Sequence, residues 1–379
     1  MVLEQLALHD FRNIANARLA FGPGLNLVVG GNGQGKSNLL EAVGLLASGR
    51  SFRRATPTVM RRHGQPWYKL AARIHALGME HRLEFFAEGR RQAARLDGKP
   101  LTSAAGLGAW MGAVIFTPAS LRLVQGEPGE RRRWLDWTAF ALDPRYAALM
   151  RDFQKALASR NRLLQRGGGS AAELDAWESR LAPLGAEATA ARRSALAAVT
   201  HHLGPLLTEL GLGGLELTAR LDSGLLRVGG EDGGADELDA AALSERYARR
   251  LRENRDRDRR EGSTSLGPHR DDVALTMGGR PLVQVGSQGQ QKRLALALKL
   301  AEGALNLERR GEPPLYILDD PASELDREGV ERFLDLLSRV GRQVLAAACA
   351  EGEIPWSGER RVWRVTEGAF LPVEPAAGG

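Results

Sequence analysis

Gly30-Gly31-Asn32-Gly33-Gln34-Gly35-Lys36-Ser37 matches G-x-x-x-x-G-K-[ST], the phosphate-binding loop of nucleotide-hydrolysing proteins, and it decides the fold. Its flanks agree with it. Leu25-Asn26-Leu27-Val28-Val29 is a short apolar run, as a buried parallel strand requires. Ser37 to Leu46 carries apolar residues at helical spacing. Glycines let the backbone wrap phosphates with its N–H groups turned inward, and the helix N-terminus adds partial positive charge. Lys36 is placed to reach the β and γ phosphates, and the Ser37 hydroxyl to hold Mg²⁺. Asn38 extends the nucleotide-contacting set into the helix. The bland alternative is a glycine-rich turn with a chance Lys-Ser; it leaves the agreement of strand, loop and helix unexplained.

Upstream of the loop, Val2–Leu8 and Ala17–Phe21 read as strands. Between them lies Phe11-Arg12-Asn13, where Arg12 fits either a nucleotide contact or a turn-stabilising role. Downstream, Gly49-Arg50-Ser51-Phe52-Arg53-Arg54 is a basic patch close to the loop in sequence. Trp67–His75 and His81–Phe86 alternate at period two and predict antiparallel strands, and Asp97-Gly98 is a hairpin signal. After a strand at Val114–Phe116 the pattern turns helical, over Arg131–Asp136, Tyr146–Leu164, Ala171–Leu210 and Leu238–Glu261. The run Arg255-Asp256-Arg257-Asp258-Arg259-Arg260-Glu261 predicts a solvated helix face with internal ion pairs. Gly229–Gly234 reads as a loop, Val273–Met277 with Pro281–Val285 as a hairpin, and Pro375–Gly379 as a disordered tail. No heptads are sustained, so no long coiled coil is expected.

The totals narrow the class. With 379 residues, 43% of them hydrophobic, the chain has room for two or more packed domains. Net charge is +6, which suits a polyanionic partner. All but six of the 52 basic residues are arginine, which fits phosphate recognition and a general compositional habit equally well. The single cysteine, Cys349, excludes an intrachain disulfide framework and fits a reducing compartment. Met1–Gln5 lacks the charge and apolar core of a signal peptide, and the longest apolar runs are too short to span a bilayer. A cytoplasmic protein is expected, with no membrane partner.

A second apolar strand, Leu315–Leu318, ends in Asp319-Asp320, the Walker B pattern. A carboxylate there holds Mg²⁺, so Asp319 joins Ser37 as a metal candidate. Asp320 follows as the catalytic candidate that polarises the attacking water, with Lys36 as its partner in catalysis. Ser287-Gln288-Gly289-Gln290-Gln291 resembles the signature motif of ATP-binding-cassette ATPases, which binds the γ-phosphate held by a second subunit. Ser287, Gly289 and Gln290 are therefore nucleotide candidates; alone, Ser287 reads as a helix cap. Ser323-Glu324-Leu325-Asp326 resembles the D-loop, with Ser323 and Asp326 as its polar residues.

Together these motifs resemble the RecF family of bacterial recombination-repair ATPases, related to the SMC-type proteins. Gly267-Pro268-His269-Arg270-Asp271-Asp272, Gly286–Gln291 and Arg131-Arg132-Arg133-Trp134-Leu135-Asp136 carry the likeness beyond cassettes in general. The resemblance implies an α/β, two-lobed ATPase head without the long coiled coil. Residues 1–115 and 305–379 form lobe I; residues 116–304 form a largely helical lobe II that includes the signature motif. It further implies ATP and Mg²⁺ as cofactors and a homodimer on ATP binding. DNA is the implied ligand, at gaps and single-strand/double-strand junctions, with RecR, RecO and RecA in the same pathway. Slow, DNA-stimulated hydrolysis serves as a switch. Arg50, Arg53, Arg54, Arg131, Arg132 and Arg133 are candidates for DNA contact, with solvated surface charge the alternative for each. Two departures stand out. Asp320 occupies a position where many cassettes carry Glu. Ala347, Ala348, Cys349 and Ala350 stand where cassettes place a γ-phosphate-sensing histidine; His269 fits that role less well than loop stabilisation. The rival reading is a cassette subunit that energises a membrane transporter, and a third is a nucleotide-dependent clamp with negligible hydrolysis.

Overall fold

A computed structural model describes residues 1–227, 238–323, 325 and 327–373. The Gly229–Gly234 loop, Glu324 and Asp326 of the D-loop, and the Pro375–Gly379 tail lie outside the described residues. Two compact units emerge, residues 1–121, 202–214 and 287–379, and residues 122–201 and 215–286.

The first unit holds two sheets. One is antiparallel: β1 (Val2–Phe11), β2 (Ile14–Ala20), β4 (Trp67–Ala76), β5 (Met79–Glu88), β6 (Arg91–Leu96) and β7 (Lys99–Pro100), in the order β2-β1-β4-β5-β6-β7. Period-two burial along β4 turns Tyr68, Leu70, Ala72, Ile74 and Ala76 to the core. Asp97 and Gly98 join β6 to β7 with φ of +49° and +79°, the backbone that an Asp-Gly hairpin favours. The other sheet contains β3 (Gly24–Val29), β8 (Ala113–Phe116), β12 (Leu315–Asp319), β13 (Gln343–Ala348), β14 (Arg360–Thr366) and β15 (Ala369–Val373). Its order is β15-β14-β3-β13-β12-β8, parallel throughout except for edge strand β15. Helix α1 (Lys36–Ser48) packs on strands of both sheets, and a single apolar cluster joins them.

The second unit is built on α2 (Pro128–Leu142), α3 (Tyr146–Gln165), α4 (Ala171–His201), α6 (Ala240–Glu253) and α7 (Arg255–Glu261). A small antiparallel sheet, β9 (Leu217–Asp222), β10 (Asp272–Met277) and β11 (Arg280–Pro281), completes it. The longest helix among the described residues is α4, with 31 residues. No helix among them is long and apolar enough to cross a membrane.

Four expectations change. The helix predicted over Ala171–Leu210 breaks after His201, and α5 (Leu203–Glu209) restarts with Pro205 in its first turn, where a missing N–H costs nothing. The predicted hairpin's second strand is cut short: on that side of β10 only Arg280 and Pro281 pair, because Pro281 cannot extend the ladder, and Leu282–Val285 instead forms a helical turn. The charged run of α7 is not a wholly solvated face. Asp258 is buried and accepts from Arg160 at 2.7 Å, while Arg255 pairs with Glu178. Finally, α8 (Gln288–Arg310), placed by sequence in lobe II, falls in the first compact unit because it packs on β8 and α5.

Candidate nucleotide-binding site

The strand order brings three carboxyl ends together. β13 lies between β3, which feeds the phosphate loop, and β12, which ends at Asp319. Ligands of parallel α/β sheets bind at such ends. Gly33 and Gly35 adopt φ of +78° and +121°, and a Cβ at Gly35 would sit 3.0 Å from Asn13 Oδ1. Asn13 Nδ2 donates to the Gln34 carbonyl at 3.0 Å, and the Gly368 N–H donates to the same oxygen at 2.9 Å. The loop is therefore tied down on two sides. Lys36 opens α1 and donates its ammonium to the carbonyls of Gly30, at 2.5 Å, and Gly31, at 3.0 Å.

Ser37 Oγ donates to Asp319 Oδ1 at 2.7 Å, which brings the two metal candidates into contact. A hydroxyl beside a carboxylate is the hard-oxygen set that Mg²⁺ takes, so these residues fit the ion. Burial raises the Asp319 carboxyl above its ordinary range, opposed by the Ser37 hydrogen bond and the charges of Arg53 and Lys36. A bound cation would offset that burial cost. Asp320 follows with φ of +53°, its N–H on the Ala347 carbonyl at 3.1 Å. Ser323 Oγ donates to the Asp320 carbonyl at 2.8 Å. Where the sensing histidine is missing, Cys349 Sγ lies 3.8 Å from Lys36 Nζ and 3.4 Å from Asn32 Oδ1.

Ser287 caps α8 in a full capping box. Its Oγ accepts from the Gln290 N–H at 3.3 Å, and its own N–H donates to Gln290 Oε1 at 2.8 Å. Ser287 and Gly289 are exposed, so the start of this 23-residue helix is open to an incoming anion.

The arginine candidates separate. Arg50, Arg53, Arg54 and Arg133 are exposed. Arg133 pairs with Glu130 at 2.5 Å. Arg131 is engaged within the second unit, forked onto Asp272 at 2.7 and 2.9 Å and donating to the Gly126 carbonyl at 2.7 Å. Arg132 donates to the Asp271 carbonyl at 2.6 Å. These bonds hold the Gly267–Asp272 segment from one side, and buried Arg192 holds it from the other through Asp271 at 3.1 Å and the Pro268 carbonyl.

His269 Nε2 lies 2.9 Å from the Thr264 carbonyl, and burial lowers its pKa to about 4. Its folded-state value lies below the unfolded one, so the stability it contributes is present above pH ~6.5 and is lost as pH falls toward 4. Asp271, raised by burial to about 6, acts in the opposite sense over nearly the same window. His269→Gln should therefore lose about 2 kcal/mol less than the wild type between pH 7.5 and 5, as urea midpoints at the two pH values would show.

Glu41, one of the residues behind the family resemblance but given no role by the sequence, is fully buried and forked by Arg12 at 2.8 and 2.9 Å. Its signal was a carboxylate one helical turn after Ser37 on an otherwise apolar face.

A phosphate-loop motif, a serine–aspartate contact beside it and a capped signature-type helix define an ATPase head of the cassette and SMC type. A family model described as RecF/RecN/SMC N terminal domain matches residues 2–357, and the chain belongs to the RecF family. It is 51% identical to the DNA replication and repair protein RecF of Magnetococcus marinus, over 99% of this chain and 98% of that one. A solved structure of the recombination mediator protein RecF-ATPrS in the RecFOR pathway superposes with a TM-score of 0.89 at 26% identity, covering 98% of each chain. The SmcHead bound to the C-winged helix domain of ScpA shares the fold at a TM-score of 0.52 and 15% identity, covering 98% of this chain and 97% of that one.

Proposed function

We propose that this chain is an ATP-dependent DNA-binding protein of recombinational repair that acts in the cytoplasm. ATP binding joins two copies. The dimer recognises gapped DNA and single-strand/double-strand junctions and helps to load RecA with RecR and RecO. Slow, DNA-stimulated hydrolysis releases it. The observation that carries the reading is the Ser37–Asp319 contact at 2.7 Å at the end of β3 and β12, in a chain whose exposed Ser287 caps a helix open to a second copy's nucleotide. The near-full-length match to RecF proteins favours this over a transporter subunit.

In this scheme Gly30 to Asn38 cradle the phosphates, Lys36 neutralises them, and Ser37 with Asp319 hold Mg²⁺. The ion supplies charge neutralisation and orientation of the phosphate chain. Asp320 accepts the proton of the attacking water. Ser287, Gly289 and Gln290 approach from the partner copy, and Ser323 of the D-loop lies at the same junction. Arg50, Arg53, Arg54 and Arg133 are the exposed arginines among the DNA-contact candidates. The test is molar mass by light scattering with and without ATP and Mg²⁺. ATP should double the mass of the wild type. Ser287→Arg should bind ATP yet stay monomeric, and Lys36→Met should lose ATP binding and stay monomeric as well. Normal dimerisation of Ser287→Arg would overturn the composite site.

A further inference from the structure

Gly30, Gly31, Gly33 and Gly35 lie within six residues of the phosphate loop. Glycine lets the backbone wrap a phosphate, and it also has the most conformational freedom to lose. Gln34 stands between two of these glycines, Gly33 and Gly35, with φ of +78° and +121°. Whatever holds Gln34 therefore holds the turn of the loop.

What holds it comes from the far end of the chain. Glu367 and Gly368 join β14 to β15 with φ of +50° and +80°, a two-residue hairpin turn. The central N–H groups of such a turn have no partner inside the hairpin. Here both go to Gln34. The Glu367 N–H donates to Gln34 Oε1 at 2.6 Å, and the Gly368 N–H to the Gln34 carbonyl at 2.9 Å. The approach is close on both sides of the contact. A Cβ on Gly368 would stand 2.5 Å from the Asn13 carbonyl oxygen, and one on Gly30 would stand 2.5 Å from the Val365 carbonyl oxygen. One hairpin thus meets the loop at its first residue and at its fifth.

We propose that the β14–β15 hairpin is a clamp that holds the phosphate loop in its nucleotide-ready shape, and that Gln34 is the positioning residue through which it acts. The Gln34 side chain then serves the hairpin and not the phosphates, while its backbone stays in the cradle. A loop fixed in advance loses less entropy when ATP binds. Linkage runs both ways: a hairpin that favours the nucleotide-ready loop is itself held more tightly once nucleotide is bound. This inference rests on the ATP-binding reading above.

The experiment measures two quantities on the full chain: affinity for a fluorescent ATP analogue with Mg²⁺, and hydrogen exchange across residues 360–373 with and without the analogue. Lys36→Met is the reference for loss of the phosphate loop. In the wild type the analogue should slow exchange at the Glu367–Gly368 turn. Gln34→Met keeps the length of the side chain and removes its acceptor. It should weaken the analogue roughly 3- to 10-fold, the worth of one hydrogen bond, and reduce the slowing of exchange. Gly368→Ala forces the turn away from Asn13 and Gln34 together and should weaken the analogue about 10- to 100-fold. Adding Gln34→Met to Gly368→Ala should cost nothing more, because both act through one contact.

Wild-type affinity in Gln34→Met, alongside loss in Lys36→Met, overturns the proposal and leaves the ATP reading intact. Faster exchange at the turn in Gln34→Met, equal with and without analogue and with unchanged affinity, makes the contact structural and overturns it likewise. If Gly368→Ala does not fold, Gln34→Met decides alone, since it leaves every backbone bond of the loop in place. A wild-type chain that binds no analogue overturns the ATP reading itself.

Discussion

Asp320→Asn should slow ATP turnover by roughly 10²- to 10⁴-fold, the range that a positioned general base supplies. The substitution is unusually clean here. Asp320 holds φ at +53°, a region that Asn tolerates and most side chains do not. Its N–H bond to Ala347 and its carbonyl bond from Ser323 use only the backbone and survive the change. Alanine at this position would alter the turn as well as the chemistry, so Asn is the informative variant. ATP binding should persist, because Lys36, Ser37 and Asp319 are untouched. If hydrolysis ends the DNA-bound dimer, Asp320→Asn should also outlast the wild type on DNA in the presence of ATP. Turnover at the wild-type rate would show that another group activates the water. Wild-type turnover too slow to measure would favour the nucleotide-dependent clamp.

The parts of this molecule legible in the sequence are those whose chemistry is local. Gly30–Ser37 announces itself because one strand, one loop and one helix start suffice to make a phosphate cradle. Asp319 was legible for the same reason, at the end of four apolar residues. The motifs set Asp319 and Ser37 on one ion, but the strand order that joins these residues, 282 positions apart, with β13 between β3 and β12, was not legible. The charged run from Arg255 to Glu261 misled for a related reason. Alternating Arg and Asp looks like a solvated helix, and Arg257–Glu261 at 2.8 Å is such a surface pair. Nothing local reveals that Asp258 meets a buried arginine 98 residues earlier. The Arg131-Arg132-Arg133 triplet shows the same limit. Three consecutive arginines on a helix face different directions, so two turn into the unit while Arg133 stays at the surface.

Arg160→Ala should destabilise the second unit by about 3–5 kcal/mol, the usual cost of leaving buried charge without its partner. Arg160 is fully buried, and its guanidinium serves three elements at once. Nε and Nη2 donate to Glu178 on α4 at 3.2 and 2.9 Å, while Nη1 donates to Asp258 on α7 at 2.7 Å and to Thr264 at 2.8 Å. Arg255 also reaches Glu178, so Glu178 keeps a counter-charge in the variant. Among the described residues Asp258 retains only the Ser265 N–H at 2.9 Å, and its uncompensated charge carries most of the loss. The double variant Arg160→Met with Asp258→Leu removes cation and carboxylate together. It should recover part of the stability, because an apolar replacement of a buried pair is often neutral or better. Thermal or urea unfolding of the two variants distinguishes the cases. Equal losses would mean that the side chain's packing, rather than its charge, holds α3, α4 and α7 together. The ATP affinity of both variants should match the wild type, since the phosphate loop, Asp319 and α8 all belong to the other compact unit.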